Sequence, residues 1–423
     1  MMTTSKIEKK LPLICGLITY KNFHNYYAFA FSNFSSVEMI FYNIVTFVLL
    51  ASYIYLFFDF FHNREPNSRK LLWPAILIPL AVLGNTLYVM IDTGSYDIIS
   101  REYINRLALG TNDEKGYYFA QINTWFCNMA IILLIYKYMN SIDSMVRSVV
   151  SCVLVMAIPT ILIVLQHPEF LGVRESYFND DSVNFGGGLW NIGVMAVGSL
   201  MWPAMMLMQY CSKKQKRIIT SCLCLFVFVG VAGISRTLIL MLIFSTSIYL
   251  LLAPKDNAWT KKVGVLLLAV SFMFIVEPGF IDSINERFHD HTSGTQNVRL
   301  LLWVAYMSHF SEFWIIGAPV DGIYNYFYDV DLIGEHFLPH SAVINFCARF
   351  GIIAAFSYLC LIKKAFFYNR HLGLTNDKVY LFAGCAAYVI LAFINQTGYA
   401  EPIFYVMFGI LLAYRKIMNY EQL

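Results

Sequence analysis

The chain has 423 residues, 58% hydrophobic and 17% aromatic but only 13% charged, with a formal net charge of +3. Soluble globular proteins carry roughly a quarter charged residues, so this composition excludes a soluble protein apart from one long loop. The class that remains is an all-α polytopic membrane protein, because apolar runs of about 20 residues recur along the chain and each can cross a hydrocarbon core about 30 Å thick.

The N-terminal "MMTTSKIEKK" leads into an apolar segment without a small-residue cleavage site, which predicts a retained first helix. A hydropathy window of about 19 residues predicts twelve helices, over 11–31, 37–61, 71–92, 117–137, 147–166, 187–209, 218–235, 237–254, 263–277, 341–362, 379–396 and 401–415. Lys21, His24 and Asn25 interrupt the first, and "ISRT" alone separates the seventh from the eighth. All nine cysteines fall in or beside apolar runs, so no disulfide and no metal cluster is expected.

Cytoplasmic loops collect Lys and Arg. With both termini inside, Lys6, Lys9, Lys10, "REPNSRK", Lys137, Arg147, "KKQKR", Lys255, Lys261, Lys262, Lys363, Lys364, Arg370, Lys378, Arg415 and Lys416 place 21 of 30 basic residues in the cytoplasm. The external bases are Arg101, Arg106, Arg174, Arg236, Arg287, Arg299 and Arg349 against a single lysine, Lys115. A planar guanidinium suits bidentate recognition of phosphate or carboxylate, so the group points to an anionic ligand outside; snorkelling or ion pairing accounts equally well for any one member. Residues 278–340 form the longest non-spanning segment within an otherwise single transmembrane domain, 1–423. Inside it, Leu300, Trp303, Ala305 and Met307 sit at helical spacing among Arg299, Ser308 and Glu312, which predicts a helix lying along or dipping into the membrane surface before "GAPVDG" breaks it.

Arg236 stands between two short apolar runs, where an ionisable residue is a functional candidate or else caps a tight turn with Ser235. Arg299 opens the amphipathic segment one turn ahead of Trp303, and Arg174 precedes the flexible Gly186-Gly187-Gly188. His336 and His340 flank a proline at the mouth of an apolar helix. An imidazole takes a proton from a hydroxyl near neutral pH, and Pro339 fixes the backbone ahead of His340; an interfacial capping role is the alternative. His289 and His291, one residue apart with no cluster nearby, make a poor metal site. Asp321, Glu335 and Glu401 are further possible bases or sugar contacts.

Taken in order, "SRT" at Ser235 to Thr237, "VRLLLW" around Arg299, "GAPVDG" at Gly317 to Gly322 and "PHSAVINFCARFGII" from Pro339 give the chain a pattern that resembles the O-antigen polymerase and O-antigen ligase superfamily of bacterial envelope glycosyltransferases. The resemblance implies a multi-pass protein of the bacterial inner membrane with its active site facing the periplasm and no metal or other cofactor. The implied substrate is an undecaprenyl-diphosphate-linked oligosaccharide. Arg236 and Arg299, with Arg174 a weaker third, would hold the diphosphate. His340 would deprotonate the acceptor hydroxyl, with His336 and Glu401 as secondary candidates. The implied partners are the lipid bilayer and a chain-length regulator protein, with no nucleic acid. The chain departs from the family in carrying Ser341 where many members have Asn after the histidine. A polymerase is favoured over a ligase by the aromatic-rich "YNYFYDV" at Tyr324 to Val330. A lipid-linked oligosaccharide flippase is the reading from another class, and would call for repeated halves and charged or broken helices near the midplane.

Overall fold

A computed structural model of the chain describes residues 6–31, 36–62, 66–92, 114–168, 171, 189–233, 235–252, 303–304, 306–317, 341–367, 376–394 and 400–420. Among these residues every regular element is helical, and six helices are long and apolar enough to cross a membrane. The helices are α1 Leu11–Ala30, α2 Ser36–His62, α3 Pro66–Asp92, α4 Glu114–Tyr138, α5 Ile142–Gln166 and α6 Leu189–Ala196. A π turn at Val197–Met201 joins α6 to α7, Trp202–Leu207. Then follow α8 Lys213–Ala232, α9 Arg236–Leu252, α10 Phe310–Phe313, α11 Ala342–Phe366, α12 Asn376–Ile394 and α13 Pro402–Tyr420. Eleven of the twelve predicted segments fall on these helices; the ninth, 263–277, lies outside the described residues.

Several helices begin earlier than hydropathy predicts. Helix α8 opens on "KKQKR" because Ser212 and Gln215 form a reciprocal capping box, the Ser212 hydroxyl accepting the Gln215 N–H and the Gln215 side chain accepting the Ser212 N–H. Helix α5 likewise starts at Ile142 behind the Ser141 cap. A charged first turn is helical but projects beyond hydrocarbon, so an apolarity window does not count it.

Helix α13 is the centre of the bundle. From Ile403 to Phe408 and from Ile410 to Tyr414 every residue is buried, as a helix apolar all round must be. Helix α2 lies at the edge, exposing Ile44, Phe47, Val48, Ile54, Tyr55 and Phe58.

The helix ends meet in one basic layer. Lys137 of α4 pairs with Asp59 of α2 at 2.8 Å. Glu8, ahead of α1, accepts from the Asn140 N–H at 3.0 Å and the Ser141 hydroxyl at 2.8 Å. Lys364 of α11 donates to the Lys70 carbonyl of α3, Arg415 of α13 to the Lys364 carbonyl, and Lys416 to the Tyr136 carbonyl and Asn140. Asp377 of α12 accepts from Tyr414 and Gln209. Cations predicted to share one side of the membrane therefore share one end of the molecule. Arg349 is a correction: counted among the external bases, it lies within the predicted segment 341–362, on α11, and is buried in the bundle.

Candidate functional site

Two arrangements above the basic layer bring polar chemistry into the bundle. The first joins the late segment to α11. Gly351 breaks α11 with φ 79° and ψ 176°, and the broken turn frees the Ile352 N–H, which donates to the Trp314 carbonyl at 2.7 Å. Gly317 answers it with φ 93°. A Cβ on Gly351 would meet the Ile315 oxygen at 2.1 Å, and one on Gly317 would meet the Arg349 oxygen at 2.2 Å. Both positions thus need glycine for conformation and for close approach. Asn85 of α3 completes the latch, donating to the Ile316 carbonyl at 3.1 Å.

At 1.5 Å per helical residue, Gly351 stands about 20 Å above Lys364, and Asn85 about 22 Å above Lys70. The segment ending at Gly317 therefore reaches down into the bundle. Tyr306 and Phe313, two turns apart, point inward and are buried, while Val304, Met307, Trp314, Ile315 and Ile316 are exposed. Of the predicted apolar face, Met307 is exposed and Trp303 partly buried, and Leu300 and Ala305 lie outside the described residues. The exposed apolar side chains form a surface suited to lipid.

Helix α11 begins at Ala342. Ser341, fully buried, is its N-cap and accepts the Ile344 N–H at 3.5 Å. Asn and Ser are comparable caps, so the departure from Asn keeps the helix start. Arg349 lies about 12 Å further along, two residues before the break. Arg236 is the first residue of α9, where the Ser235 hydroxyl accepts the Leu238 N–H at 3.3 Å.

The second arrangement is a polar layer inside the bundle. Asn22 of α1 accepts the Ile403 N–H at 3.0 Å through its Oδ1 and is hydrogen-bonded to the Glu401 side chain. Asn128 of α4 donates to the Ala400 carbonyl at 2.8 Å, and Asn191 of α6 meets Tyr26. On the neighbouring face of α1, Lys21 donates to the Thr46 hydroxyl at 2.5 Å and lies over the Tyr42 ring at 4.6 Å, while the Cys127 thiol donates to the Thr46 carbonyl. The His24 ring stands 4.8 Å from that of Tyr42. Asn22 lies about 17 Å above Leu11, Asn128 about 14 Å above Lys137 and Glu401 about 21 Å above Arg415. Helix α13 therefore begins inside the bundle, with Pro402 in its first turn, where a missing N–H costs nothing, and Asn22 serving the next donor. Helix α1 bends at Phe23, with φ −109° and ψ 15°, beside this layer, and the π turn starts two residues after Met195, whose sulfur accepts from Asn22.

Of the predicted site residues, the structure brings Glu401 into the polar layer. Arg236 is placed by its backbone alone, and His340, His336, Arg299 and Arg174 lie outside the described residues, as do His289 and His291. Sequence reasoning missed Lys21 and Asn22 as site residues. The signal was present as Lys, Asn, His and Asn at positions 21, 22, 24 and 25 of a largely apolar helix, where an ionisable residue is a functional candidate.

No protein-family model matches the chain, and no curated protein matches it.

Proposed function

We propose that the chain is a polysaccharide polymerase of the O-antigen type, joining undecaprenyl-diphosphate-linked repeat units by inverting glycosyl transfer on the periplasmic face of a bacterial inner membrane. The basic end faces the cytoplasm with both termini, twelve helices span the bilayer, and 278–340 is the periplasmic loop. Arg236, Arg299 and Arg174 hold the diphosphate, whose charge grows as the sugar departs, and fixed donors in a water-poor setting stabilise that charge. His340 removes the proton from the attacking hydroxyl, which is a feeble nucleophile without a base. His336 and Glu401 are the reserve candidates, and a chain-length regulator protein is the expected partner.

The observation that carries this reading is the glycine latch. It ties the head of "GAPVDG" to the helix that Ser341 caps, and so holds Trp314 to Gly317 against the bundle beside a buried arginine, Arg349. A glycosyl transfer from a lipid carrier needs such an element, because the donor stays in the bilayer while its sugars lie in water.

Replacing His340 by Ala, with membrane abundance and glycan length followed together, tests it. Loss of a general base lowers the rate by about 10²–10⁴-fold, so long chains disappear while protein abundance holds and His336→Ala retains them. Long chains made at the normal rate by His340→Ala would contradict the assignment.

A specific observation favours a second reading, movement of a lipid-linked oligosaccharide across the membrane. Transporters place ionisable groups and half-helix ends near the midplane, and here Lys21, Glu401 and the start of α13 lie inside the bundle, about 15–21 Å along their helices from the basic end. Flipping of labelled lipid-linked units by the purified protein without chain growth would select this reading over polymerisation.

A further inference from the structure

Lys21 is nine-tenths buried in the apolar helix α1. An ammonium has three N–H donors. Here one reaches the Thr46 hydroxyl and the charge rests on the face of Tyr42, and no carboxylate pairs with it among the described residues. Thr46 is itself committed, donating to the Tyr42 carbonyl at 2.9 Å. The lysine differs in this from Lys137, which has the Asp59 carboxylate. Taking a cation out of water costs several kcal/mol unless a counter-charge is supplied, and ionisable side chains within membrane segments mark substrate or ion sites by default.

The surroundings define what the counter-charge can be. The lysine stands about 15 Å above Leu11 along α1. Helix α2 is the barrier between it and lipid, and the far side of α2 presents Ile44, Phe47 and Val48 to the bilayer. Tyr42, whose ring covers the ammonium, is half-buried at that edge. A ligand arriving there is an amphiphile, its chains lying on α2 and its anionic head reaching between α1 and α2. A compact, strongly hydrated ammonium binds phosphate as a point charge.

We propose that Lys21, Thr46 and the Tyr42 ring form an intramembrane site for the phosphoryl head of an anionic amphiphile. Two sources share this chemistry, a bulk acidic phospholipid and a polyprenyl diphosphate. The site stands independently of the polymerase reading, since it is tested by binding without glycan transfer.

The test is native mass spectrometry of the full-length protein in detergent, titrated with phosphatidylglycerol, with undecaprenyl diphosphate and with zwitterionic phosphatidylcholine. Wild type retains an anionic probe at least tenfold more tightly than phosphatidylcholine. Lys21→Met abolishes that preference, and Lys21→Arg restores most of it. Preference for phosphatidylglycerol identifies bulk lipid as the source, and preference for undecaprenyl diphosphate alone identifies the carrier. Wild-type protein that binds neither anion better than phosphatidylcholine overturns the proposal even if the Met variant fails to fold, as does a folded Lys21→Met that keeps the preference.

Discussion

The basic layer and the polar layer some 14–21 Å above it treat charge in opposite ways. At the basic end Lys137 has the Asp59 carboxylate, Arg415 and Lys364 share carbonyls at helix ends, and Asp377 takes two donors. At depth, Lys21 has a hydroxyl and a ring, and Glu401 has an amide. The lower layer is a seam that matches helix ends where water also helps. In the upper layer the lysine and the glutamate meet neutral partners among the described residues.

This contrast can be broken by substitution, and the largest effect belongs to the latch above the seam. Gly351→Ala puts a Cβ into the Ile315 carbonyl and forces a left-handed φ on a non-glycine residue. Such strain costs on the order of 1–3 kcal/mol before the clash is counted, so thermal unfolding in detergent moves down by several degrees and residues 303–317 become open to protease. Unchanged melting and proteolysis would show that the segment is not held there. Next comes Asn22→Ala, which leaves the Ile403 N–H at the start of α13 without its acceptor. A buried unsatisfied donor costs roughly 1–3 kcal/mol, read as a lower unfolding temperature with α13 intact. The smallest effect is Asp59→Asn. That pair lies at the partly exposed end of the bundle, where removing it costs about 0–1 kcal/mol, within the scatter of a thermal scan. A larger loss from Asp59→Asn than from Asn22→Ala would reverse the comparison.

Most of the helical architecture was legible, because an apolar run of about 20 residues states its own fate. Depth was not legible. Hydropathy registers that Pro402 to Tyr414 are apolar, but only the contacts of Asn22 and Asn128 with Ile403 and Ala400 show that α13 starts inside the bundle. The latch was half visible: Gly317 stood in a marked turn and Gly351 followed His340 by eleven residues, yet nothing in one dimension pairs two glycines 34 positions apart. Lys21 was read as a flaw in the first helix, since a residue that weakens a hydropathy signal looks the same whether it is tolerated or required. Arg349 was misplaced for the converse reason. Counting cations by loop overlooks those that a helix carries inward.

The central claim is tested most directly by reconstituting the purified protein in proteoliposomes with undecaprenyl-diphosphate-linked repeat units, in the presence of a chelator, and sizing the product. A polymerase yields a ladder of chains that grows with time and stops in His340→Ala. Repeat units recovered unjoined from correctly oriented, folded protein, or joined once to a lipid A core acceptor and no further, would contradict it.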